Sequence, residues 1–236
     1  MKIACLLYGE VREFELAYKS WPFKKWVHID WYFSFWTNSL QGSTVLGLIE
    51  QSDCNLETIK KIIDPKSYIF EDRVINPGII ENAINQFYRL VEGLKLIENK
   101  YYDLIIVMRP DLYFNIEENL FKKELTNCLK NDAIGVLLWN PSIFCEDIFI
   151  CFTNTYLSKF LKYNWTDKIK SSNIVCPQHT VVAKFLENCK VYLLDNFNQN
   201  IEVVRPNCQN IETLNITIVR QKFKEWNGGH LRVGIL

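Results

Sequence analysis

The sequence predicts an α/β fold in which a mostly parallel sheet is flanked by helices within one domain. The chain opens with a predicted strand, residues 2–8, that is apolar from Ile3 onwards and leads at once into Gly9 and a helical stretch. Residues 79–97 repeat apolar side chains at three- and four-residue steps, which is typical of a helix packed on a sheet. Residues 104–108 are all apolar and predict a strand buried on both faces. This succession indicates a Rossmann-type sheet with right-handed parallel crossovers.

In the first half of the chain, the predicted elements are apolar runs separated by turn residues. Residues 30–36 predict the second strand, and the glycine- and serine-bearing stretch 38–47 predicts a loop. Asp64 and Pro65 end a short predicted helix, because proline cannot continue a helix. The other predictions for this half are helices at 13–20, 56–63 and 79–100, strands at 2–8, 67–70 and 104–108, and a turn at 76–78.

The second half continues the alternation and then becomes less regular. Glu117 and Glu118 suit the positive end of a helix dipole and mark the start of a predicted helix. Asn140 and Pro141 interrupt the strand pattern that precedes them. The predictions for this half are helices at 116–129, 155–163 and 177–188 and strands at 133–139, 148–152 and 191–194, followed by about forty irregular residues.

The composition restricts the classes of partner. The chain has 236 residues, of which 27 are basic and 27 acidic. This balance lacks the basic footprint of a nucleic-acid-binding surface, so no nucleic-acid partner is expected. Aromatic residues make up 14% of the chain. We expect most of them in the core, although such rings also form stacking surfaces for sugars and bases.

The cysteines and the hydropathy pattern predict a soluble, cytoplasmic protein. The eight cysteines form no CxxC pair, and Cys5 and Cys151 fall inside apolar runs. This favours buried free thiols in a reducing compartment over a disulfide framework. The N-terminal apolar run is too short for a signal peptide, and no run reaches the roughly 18 apolar residues of a membrane span.

The turn after the buried strand is the first candidate site. Arg109, Pro110 and Asp111 follow residues 104–108 directly, and open α/β sheets bind ligands at the carboxyl edge of their strands. Pro110 fixes its own φ and keeps Arg109 out of helical space, so the two charged side chains leave a stiff turn. Such a pair suits an anionic ligand, with or without a metal. The alternative is a structural ion pair that caps the turn.

Further polar and aromatic residues follow the first two predicted strands. Tyr8, Gly9 and Arg12 lie at the end of the first strand, and Trp36 ends the second. Parallel strands bring their carboxyl ends to one edge, so these residues are expected to share a crevice with the turn. Arg12 and the turn arginine can bind a pyrophosphate bidentately. Asp111 can hold a divalent cation that bridges the same pyrophosphate.

A pair of carboxylates and a second tryptophan complete the candidate set. Glu146 and Asp147 precede the predicted strand at 148–152. A carboxylate within reach of a hydroxyl can act as its general base, for which Asp147 is the first choice and Glu146 the second. Trp36 and Trp139 offer flat surfaces on which a sugar can stack, and the alternative for both is a place in the core.

Three blocks that span most of residues 1–190 carry a resemblance to a known family. The first is a strand with a Gly-x-x-Arg turn, "KIACLLYGEVREFELAYKSW". The second is a strand, "WYFSFWTN", with a long helix that leads to an Arg-Pro-Asp turn, "NQFYRLVEGLKLIENKYYDLIIVMRPDLYF". The third is an acidic motif with a late helix, "EDIFICFTNTYLSKFLKY" and "PQHTVVAKFL". Together they resemble small bacterial and viral glycosyltransferase-like proteins with a GT-A-type fold.

The resemblance implies a single GT-A-like domain that moves a sugar from a UDP- or GDP-type nucleotide sugar to a glycan or glycoconjugate hydroxyl. Residues 1–115 would form the nucleotide-sugar-binding half, and 116–236 the acceptor-side half and C-terminal tail. For a viral member, the implied location is the host cytosol. The third strand and the last forty residues match no block.

The resemblance also implies a cofactor, Mn²⁺ or Mg²⁺. The Arg-Pro-Asp turn stands where GT-A enzymes carry their Asp-x-Asp motif, so Arg109 replaces the first aspartate and Asp111 is left as the metal ligand. Many GT-A enzymes recruit a C-terminal histidine to the cation, and His230 is the candidate here. The alternative for His230 is a tail residue without a role, and the alternative for the cation is the positive charge of Arg109 itself.

Two other functions stay open at this level. A nucleotidyltransferase uses a similar sheet, but its glycine-rich basic signature is reduced here to Gly9 and Arg12. A non-catalytic nucleotide- or carbohydrate-binding module is favoured by the replaced aspartate. Walker A, Gly-x-Gly-x-x-Gly and Gly-x-Ser-x-Gly motifs are absent, which argues against NTPases, dehydrogenases and α/β hydrolases. For a transferase, Asp147 as base fits an inverting mechanism, and a retaining mechanism is the alternative.

Overall fold

The computed structural model describes residues 1–11, 14–41, 50–53, 56–72, 79–139, 144–172, 177–194, 197 and 200–203. Its strands are β1 (Ile3–Gly9), β2 (Ile29–Trp36), β3 (Asn38–Gln41), β4 (Glu50–Asp53), β5 (Ser67–Glu71), β6 (Leu104–Met108), β7 (Leu112–Phe114), β8 (Ile134–Trp139), β9 (Phe144–Phe152), β10 (Val191–Leu193) and β11 (Ile201–Val203). Its helices are α1 (Phe14–Ser20), α2 (Leu56–Ile62), α3 (Ile79–Lys95), α4 (Glu118–Lys130), α5 (Asn154–Lys162), α6 (Trp165–Lys170) and α7 (Pro177–Leu186).

One sheet of seven strands organises the described residues, in the order β5-β2-β1-β6-β9-β8-β10. β1 pairs in parallel with β2 and β6, β2 with β5, and β8 with β10. β9 runs antiparallel to both of its neighbours. The α/β prediction of a mostly parallel sheet flanked by helices in a single domain is therefore confirmed. The proposed division at residue 115 stays a prediction.

Apolar layers cover both faces of this sheet. Leu7 and Ile106 belong to the layer that includes residues of α1 and α4. Their neighbours in sequence, Leu6 and Val107, belong to the layer under α3, α5, α6 and α7. All residues of β6 are at most 1% exposed, because successive side chains of a strand point to opposite faces and both faces are covered here. The prediction of a strand buried on both faces is confirmed.

The long helix α3 is the element that returns the chain to the centre of the sheet. Its apolar stripe, with Phe87, Leu90 and Leu94 buried, packs against β1 and β2 as the periodicity predicts. Gly93 allows the close approach, since a Cβ at this position would lie 2.6 Å from the Leu6 Cδ1 atom and 2.9 Å from the Ser34 Cβ atom. The helix ends at Lys95, five residues before the predicted end, and a turn leads on to β6.

Local pairing partners account for the elements that the sequence interpretation missed. Residues 38–41 were predicted as loop, but they form β3 and pair antiparallel with β4, so the prediction is wrong there. β7 follows the Arg-Pro-Asp turn and pairs with β11, within the stretch predicted to be irregular. β9 begins four residues before its predicted start. A strand of three or four residues carries too little periodicity to be recognised without its partner.

The aromatic and cysteine predictions agree with the described core. Trp21 stacks on Phe23 and donates from its indole Nε1 to the Leu112 carbonyl oxygen at 2.7 Å. Four cysteines are described, and all are free thiols: Cys5, Cys128 and Cys151 are buried, and Cys189 is partly buried. None of the described helices has the length and apolar character needed to cross a bilayer.

A hydrogen-bonded network closes the amino edge of the sheet. The Tyr102 hydroxyl lies 2.6 Å from that of Tyr32 and donates to Asp30 Oδ2 at 2.7 Å. Lys66 Nζ lies 2.9 Å from Asp30 Oδ1, and Lys100 Nζ donates to the Tyr32 hydroxyl. The buried hydroxyls of both tyrosines have partners here, so neither retains the cost of an unsatisfied polar group.

Asp30→Asn is expected to lower the free energy of unfolding by about 1–2 kcal/mol near neutral pH. Burial raises the pKa of the Asp30 carboxyl, but the hydrogen bonds from Tyr102 and Lys66 outweigh it, and the net pKa lies below the usual 3.8. A lowered folded-state pKa gives stability that is present above the unfolded-state pKa and lost as pH falls through the folded one. Urea unfolding of both proteins at neutral and acidic pH tests this. A difference that does not shrink in acid would contradict it.

Candidate functional site

A cleft opens at the opposite, carboxyl edge of the sheet. It is a small, partly open cleft with a cavity volume of about 70 Å³, and it is lined by Tyr8, Gly9, Glu10, Trp36, Asn82, Gln86 and Arg109. From β1 the chain builds outwards through β2 and β5, and then returns by α3 to β6 on the other side of β1. The cleft therefore lies at the topological switch point, where open α/β sheets bind ligands.

The structure brings four predicted residues together in this cleft. Tyr8 and Gly9 end β1, Trp36 ends β2, and Arg109 follows β6, as parallel pairing of these strands requires. Gly9 has a φ of +96°, a conformation that suits glycine and that strains other residues. Arg12 and His230 lie outside the described residues.

Arg109 and Asp111 form a bidentate ion pair. Arg109 Nε donates to Asp111 Oδ1 at 3.0 Å, and Arg109 Nη2 donates to Asp111 Oδ2 at 2.6 Å. The Asp111 side chain is fully buried, whereas that of Arg109 is 18% exposed at the cleft wall. The fork geometry fixes the orientation of the guanidinium. The pair thus caps the turn, as the structural alternative supposed, and at the same time presents a cation to the cleft.

The side chains that the structure describes do not by themselves form a set of ligands for a divalent cation. Both carboxylate oxygens of Asp111 accept hydrogen bonds from Arg109, so a positive guanidinium already occupies the side where a metal would bind. In the described part of the chain, no group of three or more His, Cys, Asp or Glu side chains can hold a metal ion. A cation at Asp111 and His230 therefore stays a prediction.

The two candidate base residues lie on β9 at the same edge of the sheet. β9 pairs with β6 up to Phe149 and Met108, and the backbone of Glu146 and Asp147 continues beyond that pair. On the other side of β9, the register with β8 is irregular. Val136 pairs with Ile150 and Leu138 with Cys145, so residues 146–149 of β9 face Leu137 alone. Bulges of this kind occur next to active sites, where they redirect side chains.

The side chains of Glu146, Asp147 and Trp139 lie outside the described part of the structure. Trp139 ends β8, which runs in the same direction as β6, so its backbone also reaches the carboxyl edge. The register thus places all three positions at the edge where the cleft opens. Their predicted roles stay predictions.

Sequence interpretation missed three residues of the cleft wall. Asn82 and Gln86 come from α3 and Glu10 directly follows β1. A usable signal existed for the two amides: they lie four residues apart, beside the apolar stripe and in the first half of a helix that begins at the carboxyl edge of the sheet. Glu10 had no such signal, since one charged residue after a strand is common in loops.

Comparisons with known sequences assign no family to the chain. No protein-family model matches the sequence, and no curated protein matches it either.

Several solved structures resemble the chain at low sequence identity. The glycosyltransferase GlyE of Streptococcus pneumoniae is 10% identical with a TM-score of 0.47, over 95% of this chain and 50% of its own, so this chain spans half of its length. A glycosyltransferase involved in glycosylation of the major capsid of PBCV-1 is 8% identical with a TM-score of 0.47, over 82% of both chains. A cytidylyltransferase from Leptospira borgpetersenii is 10% identical with a TM-score of 0.41, over 82% of this chain and 75% of its own. At these values the matches assign no activity.

Proposed function

We propose that the chain is a glycosyltransferase that moves a sugar from a UDP- or GDP-type nucleotide sugar to a hydroxyl of a glycan or glycoconjugate acceptor. The observation that supports this most directly is the cleft at the switch point of the sheet, with the oriented cation of Arg109 in its wall. An anionic, ring-containing ligand combines well with an arginine and an aromatic side chain at such a place.

Charge on the leaving nucleoside diphosphate is offset in this proposal by Arg109. Its guanidinium keeps a fixed orientation because Asp111 holds Nε and Nη2, and a preorganised donor stabilises developing charge without reorganising first. Arg12, three residues after β1 in the sequence, is proposed as a second cation. A divalent cation would supply further charge compensation, and it would need ligands beyond the described residues, such as His230 and the phosphates themselves.

The acceptor hydroxyl is activated in this proposal by a carboxylate of β9. Asp147 is the proposed base and Glu146 the second choice, because both precede the point where β9 meets the carboxyl end of β6. A base that removes the acceptor proton while the acceptor attacks the sugar directly gives inversion at the anomeric carbon. Trp36 is 6% exposed, as the alternative of a place in the core expected, and the part of it that lines the cleft is proposed as a contact for a flat ring of the donor.

The alternative is a non-catalytic nucleotide- or carbohydrate-binding module. It is favoured by the ion pair itself, because Arg109 occupies the side of Asp111 that a catalytic metal would use. Such a module would bind a nucleotide or a glycan in the same cleft without transfer or donor hydrolysis.

A thermal-shift screen against UDP, GDP, CDP and dTDP, each with and without Mn²⁺, tests the proposal. A ligand at a hundred times its dissociation constant adds about 2.7 kcal/mol of stability, which is easily seen. A shift with one nucleotide that needs Mn²⁺ would support a metal-dependent transferase, and a metal-independent shift would assign the charge compensation to the arginines. No shift with any of them would make the non-catalytic carbohydrate-binding module the better account. Mass spectrometry of the matching donor with glycan acceptors then separates transfer from binding alone.

A further inference from the structure

A buried arginine lies behind the wall of the cleft. Arg89, on α3, is 0% exposed and pairs through Nη2 with Oε2 of Glu71, a side chain that is itself 48% exposed. Within the described residues, Arg89 Nε and Nη1 are buried without a hydrogen-bond acceptor. Buried donors without partners are rare because each retains its desolvation cost, so this guanidinium needs an explanation.

Its surroundings are aromatic. The Arg89 Cζ atom lies 4.4 Å from the ring centroid of Trp36 and 4.7 Å from that of Tyr88. The two rings are nearly parallel, with an interplanar angle of 20° and centroids 6.3 Å apart. A guanidinium over an aromatic face gains electrostatic attraction and a defined stacking plane. It does not gain acceptors for N–H groups that lie in its own plane, so the contact fixes the rings without satisfying the arginine.

The aromatic partner of Arg89 is a wall of the cleft. Trp36 lines the cleft and is 6% exposed, so little of its surface is open. Asn82 and Gln86, which also line the cleft, precede Arg89 on the same helix by seven and three residues and so lie on its side of α3. The cation therefore lies directly behind the residues that any ligand in the cleft would touch.

Stability alone does not account for this arrangement. Glu71, the partner of Arg89, is 48% exposed, so it would stay hydrated if an apolar side chain replaced the arginine. Two donors of Arg89, in contrast, are buried without an acceptor among the described residues, and they retain their desolvation cost. A methionine at this position would bury no unsatisfied donor. The role of the charge is therefore to be sought in the cleft.

We propose that Arg89 is a positioning residue, which fixes the indole of Trp36 as a rigid part of the cleft wall against which a flat, uncharged ring of the ligand packs. The inference rests on the proposed function, in which that ring is the nucleobase or the sugar of a nucleotide sugar. Arg89 touches neither the ligand nor the reacting atoms. It acts through Trp36, by limiting the orientations of the ring before the ligand arrives.

Arg89→Met is the variant that tests the inference, with Lys95→Met as a matched control. Lys95 lies on the same helix, is 54% exposed and pairs with Glu92, so its replacement removes an equal charge away from the cleft. Calorimetric titration with inorganic pyrophosphate, the nucleoside diphosphate found by the screen, and the matching nucleotide sugar gives three dissociation constants per variant. We expect Arg89→Met to melt no lower than the wild type. We also expect it to bind the nucleotide sugar about tenfold more weakly, with pyrophosphate and the control unchanged within about twofold.

The probes distinguish the two sources of the ring. Weakening that already appears with the nucleoside diphosphate assigns the nucleobase to Trp36, and weakening confined to the nucleotide sugar assigns the sugar. Either result supports the inference. Equal weakening of pyrophosphate would overturn it, because Arg89 would then act as a charge for the phosphates.

A double-mutant cycle with Trp36→Leu separates positioning from general structural support. If Arg89 acts through Trp36, adding Arg89→Met to Trp36→Leu changes affinity by less than about twofold. If the losses of affinity of the two single variants multiply in the double variant, the inference is overturned. Should Arg89→Met fold poorly, Arg89→Lys keeps the charge but lacks the flat guanidinium, and is expected to show the same loss. A wild type that binds no nucleotide would refute the proposed function first and the inference with it, and no variant is needed to see this.

Discussion

Replacing Arg109 with methionine is expected to lower the free energy of unfolding by about 3 kcal/mol and to weaken nucleoside diphosphate binding at least about tenfold. The loss of stability follows from Asp111, which is fully buried and would lose two hydrogen bonds from an opposite charge. The loss of affinity follows from the removal of a cation from the cleft wall. Urea unfolding measures the first effect and calorimetric titration the second.

A double variant separates these two effects. In Arg109→Met with Asp111→Leu, an apolar pair of similar volume replaces the ion pair, so most of the stability should return while binding stays lost. Arg109→Lys keeps the charge but cannot form both hydrogen bonds of the fork, so it should lose less affinity than the methionine variant. If Arg109→Met binds the nucleotide as the wild type does, the assignment of the cleft is wrong. Unchanged stability would instead refute the importance of the ion pair.

The elements that could be located from the sequence alone are those with a long or uninterrupted apolar pattern. β6 was predicted at its observed bounds because apolar residues are uninterrupted between charged ones. α3 was recognised because its stripe runs for more than four turns, although it ends at Lys95 and not at the predicted residue 100. The edge occupied by Gly9, Trp36 and Arg109 followed from the same reasoning, since parallel strands must end together. The regular apolar pattern was therefore enough to predict the scaffold and the edge of the sheet at which the cleft lies.

What the sequence could not show is which charged groups meet. Arg109 and Asp111 were correctly placed after β6, but their burial and mutual pairing depend on the surrounding core. From sequence alone, Asp111→Ala is a simple test of ligand binding that leaves the fold intact. In the structure the same change removes the partner of Arg109 from the interior, so a loss of stability is expected as well.

The polar face of α3 shows a second limit of the same kind. Gln86 and Arg89 are three residues apart on one helix, yet one lines the cleft and the other is buried between aromatic rings. Helical periodicity separates the apolar stripe from the polar face, but it does not separate two polar residues on that face. Their difference arises from β2, which ends in Trp36 and covers Arg89 from the side of the cleft.

Asp147→Asn is expected to lower the rate of sugar transfer about 10²- to 10⁴-fold and to leave the affinity for the nucleotide sugar unchanged within about twofold. The amide cannot accept the acceptor proton, whereas donor binding is assigned to the cleft wall across β1, β2 and α3. Single-turnover transfer measures the first quantity and calorimetric titration of the donor measures the second.

Glu146→Gln is the matched control, because it makes the same chemical change one residue earlier on β9. In a regular strand, successive residues point to opposite faces, so only one of the two carboxylates could serve a single acceptor. Because the register opposite Leu137 is irregular, the backbone alone does not determine which of the two side chains faces the acceptor. If Glu146→Gln loses transfer instead, the base is Glu146. If both variants transfer sugar at the wild-type rate, neither residue is the base, and the acceptor proton must leave by a group outside β9.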